Sequence, residues 1–465
     1  MDTVKTVLSE ILVREKEIGV YRYYYKNFQI WRIYRFDCRN HLLKQRIPRY
    51  TNNSLAKKGF IRYWQFLCNF VISFYKLSRL FIKKVDKVDN IVFAFPRLQY
   101  LDGMLIDKFT DPVIDKTQLS ESVLVFQNSS RVQYSGKRWK NERVISTDCM
   151  IFLSYLWGAL YVLFFMFTST GRTIRHLFNV TRLYFNLNYT NFFMWNIKFC
   201  SFLFLTKVYN LIFKRLNCKR LFLVDRAIFL PQIFVAHSLH LLVYEFQHGV
   251  TCSDTPLYSG PYDPVSDPDY FLAFGEIWKG RQFAIPIERI LNIGWAYKDL
   301  IMRIPVKNMH SQNDVLVISS PGITEKIVYT VVDLAKCYKL YNFYIRCHPQ
   351  EMMSEELKDV IAKNPNIYIA DNRIDSFMAL RSYIYVIGEN SSVLYEALSL
   401  GRRVGRFSYN GFSLLHLENI VGEDGFYYLN GVSDFANFIN WHFDVKRNCS
   451  MYADLNSDLV NDLLK

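Results

Sequence analysis

The feature that most constrains the fold is a short apolar run that recurs along the chain and ends each time on small or polar residues. Four clear examples occupy residues 243–246, 270–274, 290–293 and 315–318. Runs of four or five apolar residues bounded by turn formers are typical of buried strands. Helical stretches separate the runs, and this alternation predicts parallel sheets in an α/β fold.

The distribution of these runs predicts two α/β units. The runs at 91–95 and 122–126 open the first unit, residues 295–314 have the composition of a linker, and a second unit with five strands begins at 315. A length of 465 residues is enough for two or three domains that each bury a core. We expect a helical region at 1–88, a first domain at 89–300 with an apolar helical insertion at about 149–215, a second domain at 312–442 and a tail at 443–465.

Charge is distributed unevenly along the chain. The net charge is +15, yet residues 1–90 carry 19 Lys/Arg against 7 Asp/Glu, and residues 312–465 carry 14 against 19. Between residues 21 and 35, aromatic residues alternate with arginine and lysine. This pattern suits stacking on single-stranded nucleic acid, contact with an anionic membrane, or an ordinary amphipathic helix packed on a domain. The sequence leaves these three alternatives open.

The apolar insertion is the strongest membrane signal. No charged residue occurs from 149 to 171, and a helix of that length would cross a hydrocarbon core of about 30 Å. A second apolar run at 191–213 is broken by Lys198 and Lys207. A true span, an in-plane or hairpin attachment and a helix buried between domains all fit this composition. We favour attachment without crossing, because a single crossing would place the strands before and after it on opposite sides.

The cysteines and the N-terminus indicate the compartment. Nine cysteines are scattered singly, with no CxxC pair and no Cys/His cluster of zinc spacing. Free thiols of this kind are typical of a reducing compartment, and residues 1–5 lack the apolar core of a signal peptide. We therefore expect a cytoplasmic active part, no cofactor and no metal ion. Asp267-Pro-Asp269 has a spacing found in metal sites, but the neighbouring prolines favour a turn.

His248 is the first candidate site residue. It follows the run at 243–246, within Gln247-His248-Gly249. Parallel α/β sheets bind ligands at the carboxyl ends of their strands. A histidine there can exchange a proton near neutral pH, and the glycine allows a substrate to approach the backbone. The alternative is a histidine that only completes the hydrogen bonding of a strand end.

Strand ends in the second unit present groups that suit phosphate. Small residues follow its first strand, a His-Pro pair follows the second, and two serines begin the helix after the fourth. A helix N-terminus with free amides is a natural phosphate site, and a carboxylate one turn later can accept two ribose hydroxyls. The alternatives are a plain helix cap and a solvated glutamate. The residues are Ser319, Ser320, Gly322, His348, Ser391, Ser392 and Glu396.

These motifs, taken in chain order, resemble those of the GT-B-type glycosyltransferases that build bacterial surface polysaccharides. They are the Gln-His-Gly strand end, the His-Pro strand end and Gly-Glu-Asn-Ser-Ser…Glu-Ala-Leu…Gly at 388–401. Similar families are the capsule and O-antigen glycosyltransferases, the CDP-glycerol glycerophosphotransferase-like enzymes and the bacterial sialyltransferases. The resemblance covers residues 89–128 and 220–442. Sialyltransferases carry an acidic-acidic-Gly motif in the first domain, whereas here it lies in the second, at 423–425, which disfavours sialyl transfer.

The resemblance implies two Rossmann-like domains that face each other across a cleft. The first would hold the acceptor, with Gln247 and Gly249 on the acceptor side and His248 as the general base. The second would hold a nucleotide-activated sugar or polyol phosphate, with the strand-end serines and His348 at its phosphates and Glu396 at its ribose. The expected partners are this donor, a glycan or lipid-linked acceptor and an anionic membrane surface at the cytoplasmic face of the inner membrane, without nucleic acid.

Two other classes of function remain open. A nucleotide-sugar epimerase of the same fold would act on the donor alone and would not need a membrane-directed basic and aromatic region. A non-enzymatic protein that binds nucleic acid or membranes would explain the positive charge, but not two sets of strand-end histidines. Product analysis distinguishes the epimerase, and salt-sensitive retention of RNA or DNA distinguishes the nucleic-acid binder.

Overall fold

The computed structural model describes most of the chain. The described residues are 4–46, 60–82, 87–101, 103–128, 137–138, 143–249, 251, 258–279, 284–306, 309–320, 323–348, 353–389, 391–408, 425–441 and 451–465.

The described residues before the first sheet are helical, as predicted, with one short hairpin. The elements are α1 (Val4–Ile18), β1 (Tyr24–Tyr25), β2 (Phe28–Gln29), α2 (Trp31–Arg46) and α3 (Phe60–Ile82). On α2, Trp31 and Tyr34 are fully buried, and Tyr34 stacks on Trp195 at 4.1 Å between ring centroids. Arg32 and Arg35 are buried as well. For α2, the structure therefore supports the third alternative, an amphipathic helix packed on a domain.

The first domain is built on a sheet of seven parallel strands in the order β12-β11-β10-β9-β3-β6-β8. Its central strands are fully buried, as expected where helices cover both faces of a parallel sheet. Strands β4, β5 and β7 form a small separate sheet. The elements are β3 (Asn90–Ala94), β4 (Gln99–Leu101), β5 (Met104–Ile106), α4 (Asp111–Lys116), β6 (Val123–Gln127), β7 (Lys137–Arg138), β8 (Val144–Ser146), α5 (Asp148–Phe165), α6 (Ser169–Thr181), α7 (Tyr189–Leu216), β9 (Arg220–Val224), α8 (Leu230–Ser238), β10 (Leu242–Phe246), β11 (Tyr270–Ala273) and β12 (Ile290–Asn292).

Small residues hold the two long helices of the apolar insertion together. A Cβ added at Gly158 of α5 would lie 2.7 Å from the carbonyl oxygen of Ile197 on α7, and Ser154 Oγ lies 2.6 Å from Ser201 Oγ. The outward face of α5 is apolar, and Phe164 is 78% exposed. Within the described part of the chain, α5 alone is long and apolar enough to cross a membrane. Because β8 and β9 flank the insertion and belong to one sheet, both of its ends lie at the same domain.

The second domain is built on six parallel strands in the order β15-β14-β13-β16-β17-β18. The five predicted strands are present, and β18 was not predicted because Tyr-Tyr-Leu is too short for an apolar run. Gly401 ends α13 with a φ of +69°, as predicted for the residue after a helix. The elements are α9 (Ala296–Met302), β13 (Asp314–Ile318), α10 (Thr324–Cys337), β14 (Asn342–Arg346), α11 (Glu355–Ala362), β15 (Ile367–Ile369), α12 (Ser376–Leu380), β16 (Tyr385–Gly388), α13 (Ser392–Ser399), β17 (Arg403–Phe407), β18 (Tyr427–Leu429), α14 (Asp434–Asn440) and α15 (Ser457–Asp462).

The sequence analysis misjudged some connections. Residues 295–314, predicted as a linker, contain α9. The chain also continues past α14 into α15 and returns to the first domain, where Trp295 N donates to the carbonyl of Ala453. Gly294 makes this crossing possible, since its φ is +78° and a Cβ would lie 2.0 Å from the carbonyl oxygen of Asp454. The last residues therefore pack on the first domain.

Candidate active site

Three neighbouring strands of the first sheet end together in polar or charged residues. β10, β9 and β3 are adjacent and parallel, so their carboxyl ends lie at one edge. His248 follows β10, Asp225 follows β9 and Arg97 follows β3. His248 Nε2 lies 3.9 Å from Asp225 Oδ2. The predicted histidine therefore shares its edge with a carboxyl group and lies near a guanidinium.

Tyr258 fixes the ring of His248. Tyr258 Oη lies 2.7 Å from His248 Nδ1, and the ring of Phe95 is 5.4 Å from the imidazole between centroids. The His248 side chain keeps 21% of its surface exposed, so a ligand can reach it. Burial lowers the pKa of His248 to about 4, against a smaller opposing effect of Glu245. The imidazole is therefore neutral at pH 7.

Asp225 has an unusual backbone and an unusual carboxyl group. Its φ is +72°, a left-handed conformation that residues other than glycine rarely adopt and that often marks functional sites. Ala227 N donates to Asp225 Oδ1 at 3.2 Å, while Oδ2 faces His248. Burial raises the pKa of Asp225 to about 6, although this hydrogen bond and Arg226 oppose the shift. Asp225 therefore changes charge near pH 6, beside the candidate base.

The neighbours of His248 in the chain have structural roles. Gln247 is fully buried, and its amide donates to the carbonyl of Gly249 at 2.8 Å and accepts from Phe274 N at 2.8 Å. Its side chain therefore positions the strand end, where the sequence analysis expected an acceptor contact. Gly249 does not have a positive φ, and a Cβ there would meet no atom within 4 Å. Its backbone stands next to open space.

The predicted residues of the second domain also meet at one edge. β14, β13 and β16 are adjacent and parallel. His348 follows β14, Ser319 and Ser320 follow β13, and Ser391 and Ser392 begin α13 after β16. Gly322 and two residues of the acidic-acidic-Gly motif, at 423 and 424, lie outside the described residues.

Some of these serine hydroxyls already have internal partners. Ser391 is the N-cap of α13, and its side chain accepts from Val393 N at 3.3 Å. Ser319 Oγ lies 2.5 Å from Thr324 Oγ1. A ligand at this edge would meet the first amides of α13 together with hydroxyl groups that are held in place.

Arg97 acts electrostatically on both strand-end histidines. Burial is the main cause that lowers the pKa of His348 to about 4, and Arg97 adds to it. Arg97 also lowers the pKa of His248 and of Asp225. The Arg97 guanidinium lies 5.4 Å from the centroid of the Phe95 ring, which in turn lies 5.4 Å from the His248 ring, and its effect extends to His348 of the second sheet. The two edges therefore face each other across a cleft that contains a cation.

Glu396 links the second domain to the first. Its carboxyl group is buried, and Oε1 lies 3.6 Å from Nζ of Lys108, which follows β5 in the first domain. Ser376 Oγ lies 3.5 Å from Oε2. Burial raises the pKa of Glu396, while Lys108 lowers it. The carboxylate predicted to bind a ribose therefore already holds a partner from across the cleft.

The Asp267-Pro-Asp269 segment is bent and follows a turn at residues 264–266, and it anchors arginines. Asp267 is fully buried, 2.8 Å from Arg32 and 3.0 Å from Arg226, while Arg226 also pairs with Glu245 at 2.6 Å. Asp269 accepts from Val243 N at 2.8 Å. In the described part of the chain, no group of three His, Cys, Asp or Glu side chains is placed to hold a metal ion.

No protein-family model matches the sequence. No curated protein matches it. The structure resembles that of the UDP-GlcNAc 2-epimerase from Methanocaldococcus jannaschii, with a TM-score of 0.50 and 11% identity over 82% of this chain and 99% of that chain. The chain has a GT-B fold.

Two further solved structures give lower TM-scores. The UDP-GlcNAc 2-epimerase from Neisseria meningitidis bound to UDP-GlcNAc gives a TM-score of 0.44 and 11% identity over 82% of this chain and 100% of that chain. The spinosyn rhamnosyltransferase SpnG gives 0.43 and 14% over 81% of this chain and 100% of that chain. At sequence identities this low, a structural likeness is evidence about the fold alone. The predicted GT-B arrangement of two Rossmann-like domains is confirmed.

The sequence analysis missed four residues of this GT-B cleft. Asp225 and Arg97 follow predicted strands, so the rule that selected His248 would also have selected them if it had been applied to every residue type. Tyr258 lies ten residues after His248, where the sequence shows no strand or helix pattern that would predict its position. Lys108 is 288 residues from Glu396, and no local pattern relates them.

Proposed function

We propose that this GT-B chain is a glycosyltransferase. It moves a sugar or polyol phosphate from a nucleotide-activated donor to a growing cell-surface polysaccharide or a lipid-linked acceptor. The observation that carries the proposal is the neutral His248, fixed by Tyr258 and adjacent to Asp225, in a cleft whose other wall is the α13 N-terminus with His348. One wall offers a base and the other offers groups that suit phosphate.

In the proposed reaction, His248 removes the proton of the acceptor hydroxyl. For this role Nδ1 carries the ring proton and donates to Tyr258 Oη, so that Nε2 is free to accept. The hydroxyl oxygen then attacks the carbon or phosphorus of the donor, and the bond to the nucleotide breaks. Asp225, as a carboxylate 3.9 Å from Nε2, stabilises the imidazolium that forms.

The departing nucleotide takes up negative charge. Arg97, His348 and the amides of α13 are the groups available to stabilise it. His348 is neutral at pH 7 because burial lowers its pKa, so it acts as a hydrogen-bond donor to an oxygen. With a guanidinium and a helix N-terminus at this position, the proposed reaction needs no metal ion.

The proposal includes attachment to the membrane that carries the acceptor. An apolar surface of α5 and the turn after it remains uncovered, in contrast to the buried stripe around Gly158. Contiguous exposed apolar surface of this kind marks a membrane or partner contact. Arg172, Arg175 and Arg182 lie on and just after the next helix, where they can meet anionic headgroups. The exposed residues are Phe152, Tyr155, Leu156, Trp157, Leu160, Leu163, Phe164 and Phe167.

Vesicle flotation tests this attachment. Replacing Phe164 and Phe167 with serine should reduce binding to phosphatidylglycerol vesicles. The matched control replaces Ile369 and Ile374 of the second domain, which are also exposed, and should leave binding unchanged. Equal binding by both variants would show that this apolar surface does not attach to lipid.

Product analysis tests the reaction itself. Labelled nucleotide sugars are incubated with the purified chain, with and without a lipid-linked acceptor, and the products are separated. The proposal predicts label in the acceptor and intact donor when the acceptor is omitted. Conversion of the donor to an isomeric nucleotide sugar without acceptor would instead identify an epimerase.

A further inference from the structure

A solvent-open pocket lies between α2 and the loop that follows β9. Four arginines line it: Arg32, Arg35 and Arg39 from α2, and Arg226 from the loop. We call it the arginine pocket. Arg226 directly follows Asp225 in the chain, and Arg39 lowers the pKa of Asp225. The pocket therefore borders the carboxyl group that faces His248.

The spacing of residues on α2 builds one wall of the arginine pocket. Residues 32, 35, 36 and 39 follow the i, i+3, i+4, i+7 pattern that places side chains on one face of a helix. Phe36 on this face is 44% exposed, so the pocket opens to solvent there. A basic stripe thus lies over the end of β9, while the buried aromatic face of α2 holds the helix in place.

Three of the four arginines are neutralised by buried carboxylates. Arg32 and Arg226 share Asp267, and Arg226 also pairs with Glu245. Arg35 pairs with Glu15 at 2.6 Å, and the side chain of Glu15 is fully buried. These pairs explain how α2 is attached to the first domain.

Arg39 differs from the other three. It forms no ion pair with any described residue, and its Nε is buried without a hydrogen-bond partner in that part of the chain. Its guanidinium lies over the ring of Phe36 at 5.2 Å. Attachment of the helix does not account for Arg39, because the other arginines provide it. The Nε of Arg39 is therefore left to pair with an acceptor that enters the pocket.

We propose that the arginine pocket binds a phosphate group of the acceptor, with Arg39 as its principal contact. Guanidinium groups match the geometry of phosphate oxygens with paired hydrogen bonds. An acceptor held there by its phosphate would present its neighbouring hydroxyl toward Asp225 and His248. The assignment of this phosphate to the acceptor rests on the proposed function. The site adds to that function a preference for a phosphorylated acceptor, in place of a neutral glycan.

The test measures thermal stabilisation of the full chain by inorganic pyrophosphate, with sodium chloride at equal ionic strength as the reference. Arg39→Ala should weaken the apparent affinity about tenfold or more, because a charge-assisted contact is lost. Arg39→Lys keeps the charge without the paired geometry, so its pyrophosphate affinity should lie between those of the unmodified chain and Arg39→Ala. The control is Lys44→Ala, an exposed cation on the same helix, which should behave like the unmodified chain. Equal pyrophosphate affinity in Arg39→Ala and Lys44→Ala would overturn the site.

Two further measurements assign the source of the phosphate. Flotation with phosphatidylglycerol vesicles should be the same for Arg39→Ala and the unmodified chain; a marked loss would overturn the assignment to an acceptor in favour of a lipid headgroup. Stabilisation by nucleoside diphosphates should also be unchanged in Arg39→Ala. If no nucleotide stabilises the chain while the Arg39-dependent pyrophosphate effect persists, the proposed function fails and the arginine pocket stands.

Discussion

The two walls of the cleft are built from the same kind of sheet edge but carry different chemistry. On the first-domain wall, His248 is fixed by Tyr258, faces Asp225 and borders a network of buried arginines and carboxylates. On the second-domain wall, His348 stands beside serine hydroxyls and the N-terminus of α13. Both histidines have a pKa of about 4 because they are buried. Their neighbours, however, differ.

In the proposed function, this difference assigns catalysis to the first-domain wall and ligand binding to the second-domain wall. A proton acceptor needs a fixed ring and a group that can stabilise its protonated form, and the His248 side supplies both. The hydroxyl groups and the first amides of α13 on the other wall suit an anionic ligand that does not change protonation. The same substitution should therefore have different effects on the two walls of the cleft. The predictions below are ordered from the largest expected effect to the smallest.

The largest expected effect is on turnover in His248→Ala. Loss of a positioned base should lower kcat about 10²- to 10⁴-fold with little change in the KM of the donor. His348→Ala should act in the opposite way, with a higher donor KM and a smaller loss of kcat. Steady-state kinetics of transfer to a lipid-linked acceptor measure both. Identical kinetic changes in the two variants would remove the distinction between the walls.

The sequence could predict these two histidines because each ends a strand with a clear apolar pattern. The same rule found Ser391 and Ser392, whose place at the start of α13 is confirmed. It could not find the Lys108–Glu396 pair, because that contact depends on how the two domains are placed relative to each other. For the segment that contains Arg32 and Arg35, the sequence leaves open nucleic-acid binding, membrane contact and a packed helix, and packing pairs both arginines with buried carboxylates.

The next effect concerns the link between the walls. Lys108→Met leaves the buried Glu396 carboxylate without its cation and should lower the free energy of unfolding by about 2 to 3 kcal/mol. Lys116→Met is the matched control, because both side chains of its pair with Asp299 are about one-fifth exposed, so its cost should stay below about 1 kcal/mol. Urea denaturation measures both. A loss that is no larger at pH 8 than at pH 5 would show that Glu396 ionisation is not involved.

His348 should make stability depend on pH. Its pKa in the folded chain is about 4, below the ordinary value of 6.5, so the stabilising contribution is complete above pH 6.5 and is lost as the pH falls toward 4. His348→Gln should remove this loss, with a difference on the order of 2 kcal/mol between pH 7 and pH 4.5. Thermal unfolding at the two pH values measures it. Parallel pH dependence in both chains would contradict the burial of His348 in its neutral form.

The smallest effect should come from Asp225→Asn, and it concerns the pH profile. Because the pKa of Asp225 is about 6, the carboxylate forms as the pH rises through 6, and kcat/KM should rise with it. Asp225→Asn should flatten this rise and lower the plateau about tenfold, since an amide stabilises an imidazolium poorly. The pH–rate profiles of the two chains measure it. An unchanged profile would exclude Asp225 from the mechanism.

Nucleotide binding is the most direct test of the central claim, that one wall binds the donor nucleotide and the other performs catalysis. Thermal shifts are measured with CMP, CDP, UDP, GDP and TDP for the unmodified chain, His248→Ala and His348→Ala. Stabilisation follows RT ln(1 + [L]/Kd), so the donor nucleotide should give a larger thermal shift than the other nucleotides. The account predicts that one nucleotide stabilises the unmodified chain and His248→Ala equally, and that His348→Ala loses most of this shift. Absence of stabilisation by every nucleotide, or its loss in His248→Ala alone, would contradict the account.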